Sequence, residues 1–356
     1  MFLILIGDID QKVARSFLSS FADDTRIGCQ ISSVEDTTYL QKDLASVYTW
    51  TQENNMQLNG DKFECLRYGS NIEIKDQTCY KSNSDVTIEE KDHVRDLGVT
   101  MSNDGTFRKH IEATVMTAKK QCAWILRTFK TRDPLPLLTL WKSLVLCKLD
   151  YCSQLWSPVT KGEIQSLEMV QRCYIRNVAD IRHMSYWNQL NHLKLYSLER
   201  RRERYMIIYI WKILEGQVPN ICDVKGLDQI TAKWHPRRGR ECTLPPIIRK
   251  AVAPVKRLRE ASLPVRGQQL FNILPSAIRN ITDCSVDSFK RRLDKFLSTV
   301  PDEPQIPGYT AQRRAESNSL LDMTCLATAY CTQVVEVPGD SLVAGIEGSS
   351  STIASA

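Results

Sequence analysis

Phe17-Leu18-Ser19-Ser20-Phe21-Ala22-Asp23-Asp24-Thr25-Arg26-Ile27-Gly28-Cys29-Gln30-Ile31 is the stretch on which the fold turns. Phe17 to Ser20 and Ile27 to Ile31 are β-compatible runs. Between them, Phe21-Ala22-Asp23-Asp24-Thr25 carries aspartates that suit a tight turn between paired strands. The expectation is a hairpin with two carboxylates at its tip. Adjacent carboxylates repel, by roughly 4 kcal/mol at about 4 Å and an effective dielectric near 20, and either water or a bound cation relieves that repulsion. An Asp-Asp pair in a turn is ordinary, so the motif alone does not separate the two readings.

Downstream of the hairpin, Asp36 can cap a helix whose Leu40, Leu44, Val47 and Trp50 recur at three- and four-residue steps, ending near Asn54 and Asn55. Asn59-Gly60-Asp61-Lys62 then turns the chain into a strand-like stretch, Phe63 to Tyr68, before a polar insert that runs to Ser84. This gives a β-α-β order. Leu97 to Met101 fits another strand, closed by Asn103-Asp104-Gly105.

From Phe107 to Asp180 the helical period takes over. Ile111, Val115, Ala118 and Cys122 share one face, Pro134 and Pro136 precede a run through Trp141, Leu144 and Leu149, and a third helix carries Ile164, Leu167, Val170 and Tyr174. Leu190 to Glu215 reads as a fourth helix, stopped by Gly216 with Pro219 shortly after. Lys233 to Arg266 is proline-interrupted and basic, with no regular period. A short helix follows over Val286 to Leu297, with Phe289, Leu293 and Phe296 on one side. Beyond Pro301 the composition of Pro, Ser, Thr and small residues predicts a disordered tail.

The succession of elements resembles the reverse transcriptases of jockey-like non-LTR retrotransposons. In that family a strand-(Phe/Tyr)-Ala-Asp-Asp-strand hairpin carries metal-binding carboxylates of the polymerase palm, and Phe21-Ala22-Asp23-Asp24 matches it. A helix ending in Trp and a strand opened by an Asn-x-x-Lys turn come next in the family, as Trp50 and Asn59-Gly60-Asp61-Lys62 do here. Leu97-Gly98-Val99 looks like the family's primer-grip hairpin. Phe107-Arg108-Lys109-His110-Ile111 resembles the start of its thumb, and Ile164 to Arg172 a helix common after the thumb.

The resemblance spans roughly residues 1 to 300. It implies RNA-templated DNA synthesis with two Mg2+ or Mn2+ ions, Asp23 as a bridging ligand, Asp24 as a peripheral one and Lys62 as a general acid toward pyrophosphate. For Lys62 a solvated turn lysine is the plain alternative. Two family features are absent: an earlier metal-binding Asp and a Gln-Gly turn. The sequence therefore reads as starting downstream of both, truncated at its front, with Met1 an internal residue of a longer parent. Such a chain is expected not to polymerise DNA alone. Asp8 and Asp10 are read as local helix caps rather than replacement ligands.

At 356 residues more than one domain is expected, and 42% hydrophobic with 25% charged residues excludes wholesale disorder. The net charge of +6 is compatible with a polyanionic partner without showing one. Met1 to Ile6 is too short to span a bilayer, so neither a signal peptide nor a membrane anchor is expected. Twelve scattered cysteines without a Cys-x-x-Cys pair read as reduced, buried thiols rather than zinc ligands. Trp124, Trp141, Trp156 and Trp211 read as core residues. Arg200-Arg201-Arg202-Glu203-Arg204 reads either as a nucleic-acid groove or nuclear address, or as the solvated face of a helix. Arg237, Arg238 and Arg240, with Trp234 and His235 available for stacking, suit a template or target-site contact.

The expected fold class is α+β. It comprises a partial palm over 1–106, a helical thumb and connection over 107–230, a basic segment over 231–300 and a disordered tail over 301–356. RNA template and DNA primer or target are the implied partners, contacted through Leu97, Gly98, Lys109 and the three arginines, in the nucleus or cytoplasm. The rival reading is a catalytically dead nucleic-acid-binding or structural remnant.

Overall fold

The computed structural model describes residues 6–69, 72–82, 86–220, 244, 253–303 and 318–322. It is mixed α/β and mostly helical, and among the described residues its strands form three two-stranded sheets. The chain divides into two units, Met1–Met184 with Arg249–Ser262, and Ser185–Ile248 with Leu263–Ala356.

The first unit opens with a 3-10 turn, Ile9–Lys12, and then β1 (Phe17–Phe21) and β2 (Asp24–Gly28), an antiparallel pair in the register Phe17 to Gly28 and Phe21 to Asp24. Helix α1 (Val34–Glu53) follows. Its N-cap is Ser33 rather than Asp36. The Ser33 hydroxyl accepts from the Asp36 N–H, and the Asp36 carboxylate accepts from the Ser33 N–H at 2.9 Å, so the expected cap is the third helical residue of a reciprocal capping box. Trp50 and Val47 pack with Ile6 and Ile9, and Leu18 and Ile27 of the hairpin rest against them.

The expected strand Phe63–Tyr68 is only β3 (Glu64–Cys65), entered from a 3-10 turn, Gly60–Lys62. After α2 (Ile72–Gln77), β3 pairs in parallel with β4 (Glu89–Glu90). β5 (His93–Asp96) and β6 (Val99–Ser102) form a second hairpin, so Leu97-Gly98 is its turn and not the start of a strand. Both residues have positive φ, 42° and 83°, as a two-residue type I′ loop requires.

Helix α3 (Arg108–Thr128) buries Ile111, Val115, Ala118, Cys122 and Ile125, the predicted stripe extended by one residue. A continuous helical run then comprises α4 (Pro134–Leu140), a π segment (Trp141–Leu146) and α5 (Cys147–Asp150). Its Leu137, Trp141, Val145 and Leu149 are all buried. Helix α6 (Lys161–Ile175), capped reciprocally by Thr160 and Glu163, packs against α3. Tyr174 on α6 stacks on Trp141 at 5.0 Å and donates to the Leu137 carbonyl at 2.9 Å.

In the second unit the single helix expected over Leu190–Glu215 is two, α7 (Tyr186–Leu193) and α8 (Leu198–Leu214). Lys194 adopts the left-handed conformation at φ 52° and ends α7, and the Ser197 hydroxyl caps α8. Part of the stretch expected to lack a period is α9 (Ala253–Ala261), which belongs to the first unit. A π turn (Leu263–Gly267), α10 (Gln268–Asn272), α11 (Ser276–Arg279) and α12 (Val286–Leu297) follow in the second unit. Its core joins α8, α10 and α12 through residues such as Ile207, Trp211, Phe271, Phe289 and Leu293. Trp211 stacks on Phe289 at 4.5 Å and donates to the Ile281 carbonyl at 2.9 Å.

The run Arg200 to Arg204 is not the solvated face of a helix. Arg200, Arg202 and Glu203 are buried, Arg204 donates to Asp294 at 2.7 Å, and Arg201 lies over the Tyr205 ring. Parts of the expected tail are placed as well: 301–303 and 318–322 are described, and Asn318, Ser319 and Leu320 are buried. The rest of 301–356 lies outside the described residues. Among the eight described cysteines all are free and only Cys122 is buried, so burial does not account for most of them. Burial pushes the Cys122 thiol up to about 12. No helix among the described residues is long and apolar enough to cross a membrane.

Candidate functional site

The carboxylate hairpin is closed by a two-residue loop, Ala22-Asp23. Ala22 has φ 53° while Asp23 does not share the positive sign, the pattern of a type II′ turn that glycine normally opens. An alanine there costs about 1–2 kcal/mol, because its Cβ crowds the following carbonyl. Asp23 and Asp24 are both exposed, and among the described residues neither carboxylate has a hydrogen-bond or ion-pair partner. Ser20 and Thr25 hydroxyls pair across the strands at 3.0 Å. Phe17 and Phe21, on one face of β1, are 66% and 65% exposed.

The hairpin is held from below and from the side. Asp43, buried on α1, accepts the N–H groups of Ala14, Arg15 and Ser16 at 2.9, 3.1 and 2.8 Å, which fixes the chain just before β1. Burial pushes the Asp43 carboxyl up, but these hydrogen bonds outweigh it and hold the group below its usual range. Asp8, expected to cap a helix, makes no side-chain cap and instead accepts from the Trp50 indole at 3.2 Å. Arg15 stacks over Tyr39, 3.7 Å from the ring centre.

On β2, Arg26 approaches Asp96 to 2.6 Å, and this ion pair joins the carboxylate hairpin to the residue before the Leu97-Gly98 turn. That turn has its own support. The Tyr151 phenol donates to the Leu97 carbonyl at 2.9 Å, and its ring lies 3.4 Å from where a Cβ on Gly98 would stand. The negative charge Cys152 carries as a thiolate, with a hydrogen bond between the two groups, raises the Tyr151 phenol above its usual range, and the phenol, like any tyrosine near neutral pH, is protonated and able to donate. Arg26, Asp43 and Tyr151 escaped the sequence reading. Only Asp43 left a signal there, as a carboxylate on the buried stripe of an amphipathic helix.

The remaining candidates are placed less closely. Lys62 ends the Gly60–Lys62 turn with its side chain exposed and no ion pair to either carboxylate. Lys109 lies at the start of α3, 3.2 Å from His93 Nδ1 on β5. Arg237, Arg238 and Arg240 fall outside the described residues. On α3 the exposed face carries Lys109, Met116, Lys120, Trp124 and Arg127, spaced by seven, four, four and three residues and thus aligned. Trp124 is 46% exposed with Phe129 edge-on at 6.2 Å, so it is not the core residue its periodicity suggested. Trp141, Trp156 and Trp211 are core residues as expected.

The donor set at the hairpin tip is two hard carboxylates. This suits Mg2+ or Mn2+, which need one or two such ligands and otherwise keep water. Among the described residues no three His, Cys, Asp or Glu side chains converge to hold a metal ion.

No sequence-family model matches the chain, and no solved structure matches it. It is similar to the uncharacterized protein B0403.1 of Caenorhabditis elegans, 25% identical over 207 residues, which cover 57% of this chain and 95% of that protein.

Proposed function

We propose that the chain is a portion of a reverse transcriptase of the jockey-like non-LTR type. In this reading the Asp23-Asp24 hairpin is part of a polymerase palm, Leu97-Gly98 belongs to a primer-gripping hairpin, and α3 opens a nucleic-acid-binding thumb. The observation that carries it is the tip of the first hairpin. A non-glycine residue is kept in a strained turn there, and it displays two exposed, unpartnered carboxylates on adjacent residues. Strain of this kind persists where the surrounding structure over-determines it, and it concentrates at functional sites.

Asp23 and Asp24 would hold Mg2+ or Mn2+, which would supply charge stabilisation to a transferring phosphoryl group. The sequence contributes one of the two carboxylate-bearing segments that the family uses, so primer extension by this chain alone is not expected. Single-stranded RNA and primer strands are held through phosphates in this reading, by Lys109, Lys120 and Arg127, with Trp124 as a stacking surface.

The test has two arms, both on the full chain. Mn2+ should broaden the NMR signals of residues 22–25 and spare those of Asp23→Asn/Asp24→Asn. Single-stranded RNA should bind with a salt slope that flattens by about 0.7 per phosphate lost in Lys120→Glu/Arg127→Glu. RNA affinity untouched by that pair, together with no hairpin response to Mn2+, would sink the reading.

A further inference from the structure

Residues 318–322 pack on the second unit through three adjacent positions, each met by different chemistry. The Asn318 carboxamide donates to the Ser197 hydroxyl at 2.9 Å and to Asp302 Oδ1 at 2.8 Å, and the Asn318 backbone carbonyl accepts from Arg200 at 3.2 Å. The Ser319 hydroxyl donates to Glu203 and accepts from Arg266 at 3.2 Å. The Leu320 N–H donates to the other Glu203 oxygen at 2.9 Å, and the Leu320 side chain is buried in the core beside α8. Carboxamide, hydroxyl and leucine are thus each read in turn.

We infer that the groove formed by Ser197, Arg200, Glu203, Arg266 and Asp302 is a sequence-specific peptide site. The chain fills it with its own Asn318-Ser319-Leu320 and can vacate it without unfolding the unit. The groove keeps its shape by its own bonds. Arg200 is held by the Val300 and Pro301 carbonyls at 3.2 and 2.8 Å, Asp302 by the Ser197 N–H and hydroxyl at 2.7 Å each, and Glu203 by Arg266 at 2.8 Å. Every groove charge therefore retains a partner when the segment leaves. The contacts named above place groove side chains against a carboxamide, a hydroxyl, a backbone carbonyl and a backbone N–H in succession, which is how a short peptide is recognised. Residues 320–322 form a helical turn whose start is marked by the Leu321 N–H donating to the Ser319 hydroxyl at 3.3 Å, so the ligand class is a short peptide presenting Asn, Ser and Leu in sequence as it enters a helical turn. This inference does not depend on the polymerase reading.

Two measurements on the full chain test it. In wild-type protein, hydrogen exchange at the Leu320 amide should proceed by local opening, about 100-fold faster than at Ile207 and Ile210 of α8. Exchange of Leu320 only in step with those amides would overturn the proposal. In Asn318→Ala/Leu320→Asp, where the groove stands open, a fluorescent peptide spanning Glu316 to Asp322 should bind about tenfold or more tighter than to wild type, whose site is filled in cis. The same peptide with its Asn and Leu positions changed should not bind. Equal binding of both peptides, no binding by the folded variant, or a variant that cannot fold each count against a detachable segment.

Discussion

On α3 of the first unit Lys109, Lys120 and Arg127 stand on an exposed face beside Met116 and Trp124. On α8 of the second unit Arg200 and Arg202 are buried and Arg204 is committed to Asp294, while Glu203 of the same helix takes Arg266 from the π turn. The denser cluster in the sequence is therefore the one turned inward, and the sparser set is the one offered to solvent. What separates them is spacing. Cations one residue apart on a helix face every direction, so some must enter the core and recruit carboxylates there. Cations seven and eleven residues apart return to one face. A basic run is a weak sign of a nucleic-acid surface, whereas a basic stripe is a stronger one.

The contrast can be broken most forcefully at Glu203. Glu203→Ala removes the nearer carboxylate of Arg266, which keeps Glu199 at 3.6 Å, and leaves the Ser319 hydroxyl and the Leu320 N–H without that acceptor; loss of one member of such a buried set costs about 3 kcal/mol. Urea denaturation should show that loss, while Lys120→Ala on α3 should stay within about 0.5 kcal/mol of wild type. If the two substitutions cost the same, the contrast between inward and outward cations fails.

Asp43 offers a smaller effect with a pH signature. Asp43→Asn weakens charge-assisted bonds to three backbone N–H groups, and a cost of about 1.5–3 kcal/mol is expected at neutral pH. Hydrogen bonds depress the folded carboxyl below its unfolded value of about 3.9. Its contribution is therefore complete above that pH and is lost as the pH falls through the lower folded value. The difference between wild type and Asp43→Asn should shrink below about pH 4, and a gap that stays constant into strong acid would contradict it.

On the exposed stripe, Trp124→Ala should leave the melting curve almost unchanged yet weaken single-stranded RNA binding by about 1–3 kcal/mol, read by fluorescence anisotropy. Equal loss of stability and binding would make Trp124 a packing residue after all. The smallest effect is expected at the turn. Ala22→Gly removes the Cβ crowding at φ 53° but adds freedom to the unfolded chain, so a net gain of at most about 1 kcal/mol is expected in thermal unfolding. A clear destabilisation would show that the turn is not strained.

The sequence was most informative where one periodicity ran uninterrupted. Ile111 to Cys122, Leu167 to Tyr174 and Phe289 to Leu293 are buried stripes in the helices expected of them. It misled where a local backbone switch outweighed the pattern. Lys194 divides an apolar run that continues on both sides, and nothing in a lysine announces a left-handed cap. Leu97 also holds positive φ, so the strand read through it begins two residues later. At the candidate site, Asp23 and Asp24 were visible because a turn motif is local. Arg26 with Asp96 and Tyr151 with Leu97 join positions 70 and 54 apart, and no short-range pattern encodes them.

The four buried residues Leu137, Trp141, Val145 and Leu149 recur every four positions. On a regular α-helix each such step rotates the side chain by about 40°, so the fourth would face well away from the first. The wider π turn at Trp141–Leu146 rotates the chain back and keeps all four in line. The π turn therefore acts as one inserted residue. Deleting a single residue between Trp141 and Val145 would leave the four side chains three or four positions apart, within about 60° of one another on an ordinary helix. The segment should accordingly tolerate that deletion far better than the insertion of a further residue.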